Sequence, residues 1–502
     1  MIILDGNHLN LKDFNRVVND FEKAAIAEDS IERVHRSRQI VDDIVSHEKS
    51  VYGVNTGFGK LCDEKISCDA LNQLQVNLLR SHACGVGKPF DIEIVRGMML
   101  LRINALIKGY SGIRLETVEK LLEMLNKNVI PVVYEKGSLG ASGDLVPLAH
   151  MSLPLIGEGE VIYQRKRMPT VEAFDLAGIK PLDDLWAKEG LALINGTQAM
   201  TSVACIALNE AYTLLHSATT SSAFTLEALE GIMNAFDERV HEVRNQEGQI
   251  IIAKVLRDLL EDSRNVASKC EERVQDAYSL RCIPQVHGAT LDTLDYVKGI
   301  VEREMNAVTD NPILFDNEEA ISAGNFHGQP IALVMDYLAI AVSELANIAE
   351  RRIERLVNPA LNGDLPAFLA KKRGLHSGFM IVQYAAASLV SENKILCHPA
   401  SVDSIPSSAN QEDHVSMGTI AARKALKVIE HTRHVIGLEF MTAAQAIGFK
   451  DEKKLSPILK TIYSAFRKEV PFIEEDTVMH QYMEISAQWI KDKKLLRGDL
   501  DV

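Results

Sequence analysis

Residues 197–235 read TQAMTSVACIALNEAYTLLHSATTSSAFTLEALEGIMNA. Leu208, Ala211, Leu215 and Ala218 recur at helical spacing, which predicts one long helix over Thr197–Ala235. No proline falls between Pro181 and Pro284 to break it. The same pattern recurs through Leu338, Val342, Leu345, Ala349, Ile353 and Leu356, and stops at Asn358-Pro359, where the residue before proline disfavours helix. A third long helix is expected over roughly Ser416–Ala446, inside a proline-free stretch from Ser407 to Ser456. Helices this long bury their stripes against antiparallel neighbours. The expected fold is therefore mostly α, a central bundle of long antiparallel helices.

The chain around this bundle reads differently. In the first 110 residues helical pieces alternate with glycine-bearing loops at Tyr52–Gly59 and His82–Gly87. Strand-like sequence gathers between Asn128 and Gly190, at Ile130-Pro131-Val132-Val133 and Val161-Ile162-Tyr163. We expect a smaller, loop-rich N-terminal domain over 1–110 and the helical bundle over 111–502, with no internal repeat and no low-complexity linker.

Composition excludes several classes. The chain has 502 residues, 46% hydrophobic and 25% charged, which is ordinary for a globular protein with a large core. The net charge of −15 disfavours nonspecific binding to nucleic acid or an anionic membrane. Seven cysteines without a C-x-x-C pair indicate neither a disulfide frame nor a zinc ribbon. The N-terminal residues lack the pattern of a signal peptide, and no uninterrupted apolar run is long enough to span a membrane. The expectation is a cytoplasmic protein. No metal site is expected: among fifteen histidines there is no H-E-x-x-H, and His431-Thr432-Arg433-His434 has no acidic partner at ligand spacing.

The segment most able to carry chemistry is Gly137-Ser138-Leu139-Gly140-Ala141-Ser142-Gly143-Asp144-Leu145. In a tightly bent backbone the nitrogen of Gly143 can attack the carbonyl carbon of Ala141 and close a five-membered ring. Glycine tolerates the strained conformation this needs. Loss of water from Ser142 then leaves an exocyclic methylidene, an electrophile that no ordinary side chain supplies. Ala-Ser-Gly-Asp also reads as a turn leading into a helix N-cap, and the tripeptide alone leaves both readings open.

Here the chain resembles the aromatic amino acid ammonia-lyase family. The resemblance runs over essentially the full length. It rests on Tyr52–Gly59, Gly140–Leu145, Asn195-Gly196-Thr197-Gln198, Gln275–Cys282, Thr309-Asp310-Asn311-Pro312 and Gly324-Asn325-Phe326-His327, all in the family's order. It implies the ammonia-lyase/fumarase-like fold and a homotetramer whose sites combine residues from three subunits. It also implies that Ala141, Ser142 and Gly143 become the methylidene-imidazolone (MIO) prosthetic group, with no metal or nucleotide.

The resemblance assigns roles to individual positions. Tyr52 matches the tyrosine that handles the β-proton; a phenol near pKa 10 needs a positive site to act as a base. Asn195 is expected to hydrogen-bond the imidazolone or the substrate amine, and also reads as a helix N-cap. Tyr278 and Gln275 are expected to line the pocket. Arg281 matches the arginine that grips the substrate carboxylate in the fork geometry suited to guanidinium. Asn325 and Phe326 match residues beside the cofactor, and Met380 is expected to pack on the substrate ring.

Two places imply the substrate. Ser81-His82 occupies the family's selectivity pair, where tyrosine-directed members carry His-Leu and phenylalanine-directed members Phe-Leu. Glu412 stands where those members usually have glutamine. An imidazole carries a donor and an acceptor nitrogen, and a phenyl ring would leave His82 and Glu412 unsatisfied. The resemblance therefore implies a carbon–nitrogen lyase that converts L-histidine to trans-urocanate and ammonia, the first step of histidine degradation. The rival readings are deamination of tyrosine or phenylalanine, 2,3-aminomutation, and a noncatalytic helical scaffold. Arg80 and His376 depart from the family pattern, which commonly has an apolar residue and asparagine there.

Overall fold

Our computed structural model describes residues 1–47, 51–57, 66–67, 70–267, 273–316 and 319–496. Phe58 and Gly59 of the glycine-rich loop, and Cys62, Cys68 and Cys270, lie outside the described residues. The chain divides into two compact units. One comprises Met1–Ile206, Lys298–Asp336 and Pro399–Arg423; the other comprises Ala207–Val297, Tyr337–His398 and Lys424–Val502. The position at 110 falls inside the first unit.

In the first unit short helices carry the loops. Helix α1 (Leu71–His82), α2 (Ile92–Leu106), α3 (Leu145–Ser152) and α4 (Glu189–Ile194) are its main pieces near the glycine-rich segments. α1, α3 and α4 pack on one another. Gly190 makes the closest approach possible: a Cβ there would sit 2.6 Å from the Gln75 carbonyl oxygen. The strand-like stretches form as expected. Ile130–Pro131, Glu160–Tyr163 and Lys166–Pro169 make a three-stranded antiparallel sheet, and Val86–Pro89 pairs with Tyr134–Lys136.

The long helices are α5 (Gln198–Ala228), α6 (Ile283–Met305), α7 (Gln329–Val357), α8 (Met380–Leu396) and α9 (Gly418–Ile447). Within the second unit their contacts fix direction. Tyr212 Oη donates to Asp295 Oδ1 at 2.7 Å, while Thr219 Oγ1 meets His287 Nδ1 at 3.0 Å, so α5 and α6 run antiparallel. α6 and α7 are antiparallel likewise, through Thr290 with Ala341 and Tyr296 with Tyr337. α7 and α8 follow suit, through Glu350 with Gln383 and Ala339 with Cys397. α9 then runs parallel to α7: Val342 meets Thr432, and the buried Arg352–Glu439 pair lies further along both. Leu208, Ala211, Leu215 and Ala218 are fully buried.

α5 ends at Ala228, short of the expected Ala235. Glu230 adopts a left-handed conformation (φ 54°), and the Gly231 amide bonds back to the Leu226 carbonyl, which closes the helix. α7 is, among the described residues, the helix long and apolar enough to cross a membrane; 67% of its apolar window is buried inside the protein.

Candidate active site

The turn from Gly137 to Asp144 is built for close approach. Gly143 has φ +70°, and a Cβ there would lie 2.1 Å from the Gly196 carbonyl oxygen. Gly140, at φ +65°, would meet Ser416 Oγ at 2.2 Å. Neither position accepts a side chain. The Asp144 amide donates to the Gly196 carbonyl at 2.7 Å, and the Met417 amide to the Leu139 carbonyl at 2.9 Å, so two distant segments hold the turn.

Asp144 stands at the N-cap position of α3, yet its side chain makes no cap bond there. Its fully buried carboxylate instead accepts from the Met200 amide at 2.8 Å, from Ser138 Oγ at 2.9 Å and from the Thr419 hydroxyl. It thus caps α5 from another part of the chain. Burial pushes its pKa up; those donors oppose the rise. Glu304, largely buried and bonded to Thr197 Oγ1 at 2.5 Å, is also pushed up by burial, with Asp144 adding to the effect.

Asn195 closes α4 and does not serve as an N-cap for α5. Its amide nitrogen donates to the Asn311 carbonyl at 3.0 Å and to Asp310 Oδ1 at 3.3 Å. Both partners are acceptors, which fixes the amide orientation. The buried Oδ1 is left without a partner. A charged frame holds this residue. Lys188 pairs with Asp310 at 2.8 Å, both out of solvent, and burial pushes the Lys188 pKa down. Arg102 donates to the Asn195 carbonyl at 3.1 Å and to Gln198 Oε1 at 2.7 Å, and burial lowers its pKa to about 10.

These elements surround a cavity of about 930 Å³ lined by Tyr52, His82, Ser142, Asn195, Phe326 and Glu412, among others. A smaller cavity of about 300 Å³ is lined by Ala141, Gly143, Ser407 and Glu412, again with His82. Ser142 Oγ donates to Glu412 Oε1 at 3.2 Å, and Ser407 Oγ to Glu412 Oε2 at 2.8 Å. His82 Nδ1 lies 2.9 Å from the Leu78 carbonyl. A carbonyl only accepts, so Nδ1 carries the proton and Nε2 is bare in the neutral ring. Burial pushes the His82 pKa down, against the pull of the Leu78 carbonyl and of Glu412.

The remaining expected residues lie elsewhere. Asn325 is exposed, donates to the Val308 carbonyl at 3.2 Å and lines a separate cavity. In the second unit the Arg281 guanidinium donates to Gln275 Oε1 and stacks 4.6 Å from the centre of the Tyr278 ring. Tyr278 is 72% exposed there, beside Val274 at 98%. Met380 opens α8 in the same unit, half-buried. Both departures from the family pattern have structural partners. Arg80 forks onto Glu158 (3.0 and 3.1 Å from Nε), and His376 Nδ1 accepts from the Asp476 amide at 3.2 Å. Ser407, Lys188, Arg102 and the role of Asp310 were not expected from the sequence. Of these only Asp310 lay in a quoted motif. Among the described residues no three His, Cys, Asp or Glu side chains gather as metal ligands.

The chain belongs to the aromatic amino acid lyase family, whose pattern matches residues 9–468. It is 56% identical to the histidine ammonia-lyase of Bacillus subtilis (strain 168), over 99% of this chain and 97% of that one. Among solved structures, histidine ammonia-lyase from Trypanosoma cruzi superposes with a TM-score of 0.91 at 41% identity, covering 98% of this chain and 94% of that chain. Tyrosine aminomutase from Streptomyces globisporus gives 0.95 at 36%, covering 99% and 98%.

Proposed function

We propose that the protein is a carbon–nitrogen lyase that eliminates ammonia from L-histidine to give trans-urocanate. The observation that carries this reading is the convergence of Ser142, His82 and Glu412 on one cavity. A bare His82 nitrogen and the Glu412 carboxylate both accept hydrogen bonds. A neutral imidazole side chain brings one N–H donor to this pair of acceptors and an imidazolium brings one to each; a phenyl ring brings none and leaves both unsatisfied at about 1–3 kcal/mol apiece. The 56% identity to a protein named histidine ammonia-lyase supports the same choice.

We further propose that Ala141, Ser142 and Gly143 form the MIO group. The residues fit it: Gly143 is held at positive φ with no room for a Cβ, and the turn is clamped on both sides. When formed, the group supplies an electrophilic methylidene carbon. A ring closed from these residues carries no N–H, so the orphaned Asn195 Oδ1 is left for the substrate ammonium. His82 and Glu412 orient the imidazole. Tyr52, on the cavity wall, takes the β-proton as phenolate. Phe326 supplies an apolar wall that helps to exclude water.

Arg281 is assigned to the substrate carboxylate, with Gln275 and the catalytic Tyr278 lining the pocket, in a homotetramer where each site is completed by neighbouring copies. The exposure of Tyr278 and Val274 leaves this segment open to a neighbouring copy. The domain division at 110, the roles of Asn325 and Met380 at the completed site and a cytoplasmic location are parts of the same proposal. Among the described residues Cys84, Cys205 and Cys282 form no disulfide, which is consistent with a reducing compartment.

Incubation with L-histidine, L-tyrosine and L-phenylalanine, with the products separated and identified, tests the reading. A conjugated acrylate and free ammonia from histidine alone are expected. A β-amino acid would mean aminomutation, and turnover of tyrosine or phenylalanine alone would overturn the assignment of His82 and Glu412.

A further inference from the structure

We propose that Glu412 has a task before any substrate arrives: it holds the Ser142 hydroxyl in place while the prosthetic group forms. The proposal rests on the MIO reading above. Ser142 Oγ and Glu412 Oε1 lie 3.2 Å apart across 270 residues of chain. The carboxylate is itself fixed. Its other oxygen accepts from Ser407 Oγ at 2.8 Å, and the backbones of Ser407 and Glu412 exchange hydrogen bonds of 2.9 and 3.3 Å. The loop between them is costly: Ser408, Ala409 and Asn410 all take left-handed conformations, at φ 50°, 52° and 66°. Left-handed backbone is unfavourable for any residue that carries a Cβ. Such strain persists only where surrounding contacts over-determine it, and here they deliver one carboxylate to one serine.

The chemistry shows why that serine needs holding. In the first step the Gly143 nitrogen bonds to the Ala141 carbonyl carbon. The carbonyl oxygen departs with the two amide hydrogens of Ser142 and Gly143 as one water. In the second, the Ser142 Cα–H and Cβ–Oγ bonds break and a Cα=Cβ bond forms. The hydroxyl leaves as a second water after taking the equivalent of the Cα proton from solvent. Elimination requires the Cβ–Oγ bond to align with the electron pair released at Cα. A serine hydroxyl otherwise samples three staggered wells. The bond to Glu412 selects one of them. The small cavity lined by Ala141, Gly143, Ser407 and Glu412 gives the departing water room. Once Oγ has gone, Glu412 Oε1 has lost its partner and becomes the acceptor for the substrate imidazole. Maturation thus frees the group that recognition uses.

The role needs an acceptor oxygen and not a charge, so glutamine should satisfy it and leucine should not. Intact mass is measured on wild type, Glu412→Gln, Glu412→Leu and Ser407→Ala from early after synthesis onward. Wild type and Glu412→Gln are expected to be lighter than the encoded mass by two waters. Glu412→Leu is expected to mature at least several-fold more slowly, with heavier species persisting. Ser407→Ala loosens the carboxylate and leaves the backbone pair intact, so it is expected to fall between them in a little-disturbed fold. Glu412→Leu maturing as fast as wild type overturns the proposal, as does Glu412→Gln failing to mature. Wild type at its full encoded mass overturns the MIO reading instead, so the two failures are separable.

Discussion

Replacing His82 by leucine isolates its contribution to recognition. The imidazole has its Nδ1–H committed to the Leu78 carbonyl at 2.9 Å, so only Nε2 is free to accept from a substrate N–H. Leucine fills similar space and accepts nothing. A bound imidazole N–H then has no partner, at about 1–3 kcal/mol, or roughly 5- to 150-fold in kcat/KM. The fold loses one hydrogen bond at the last turn of α1, where the chain is partly open to water, at about 1 kcal/mol or less. Loss of activity on histidine is therefore expected without a comparable loss of stability. Activity on L-phenylalanine is expected to rise, because no polar ring must be stripped of water against a phenyl group. The assay is near-ultraviolet absorbance of the acrylate product, run with both substrates beside thermal unfolding. Unchanged kcat/KM for histidine, or an equal fall for both substrates, would refute the reasoning.

Two further substitutions probe the frame of the site. Gly143→Ala is expected to abolish the two-water mass loss: its Cβ would fall 2.1 Å from the Gly196 carbonyl oxygen, and positive φ adds about 1–2 kcal/mol of strain. A mature, active Gly143→Ala protein would contradict this. Glu304→Gln tests the buried acid. Burial raises the folded pKa above the unfolded one, so the folded state keeps its proton longer. Stability from this group is full below the unfolded pKa near 4.5 and declines as pH rises toward the folded value, by about 1.4 kcal/mol for each pH step of one between the two. The stability of wild type in denaturant is expected to fall more than that of Glu304→Gln as pH rises above about 4.5; equal slopes would contradict the assignment.

Local signals explain what could be read in advance. The long helices were legible because their apolar spacing is local: Leu208, Ala211, Leu215 and Ala218 announce a buried face in any context, and all four are fully buried. The end of α5 was not, because Glu230 gives no sign that it will turn left-handed. Tyr52, Ser142, Asn195, Phe326 and Glu412 were named from motifs and meet around one cavity. Asp144 and Asn195 illustrate the limit. Each occupies a cap-like position in sequence, yet their side chains bond to residues 56 and about 115 positions away. Lys188 and Arg102 gave no signal, since a buried cation looks like any surface one until its partners are placed.

The proposed chemistry requires Ser142 to become part of an electrophile that removes ammonia from histidine. Its most direct measurement is the rate of product absorbance from L-histidine for wild type and Ser142→Ala, side by side. Turnover is expected from wild type and none above background from Ser142→Ala. Turnover that survives Ser142→Ala, or its absence in wild type, would contradict it.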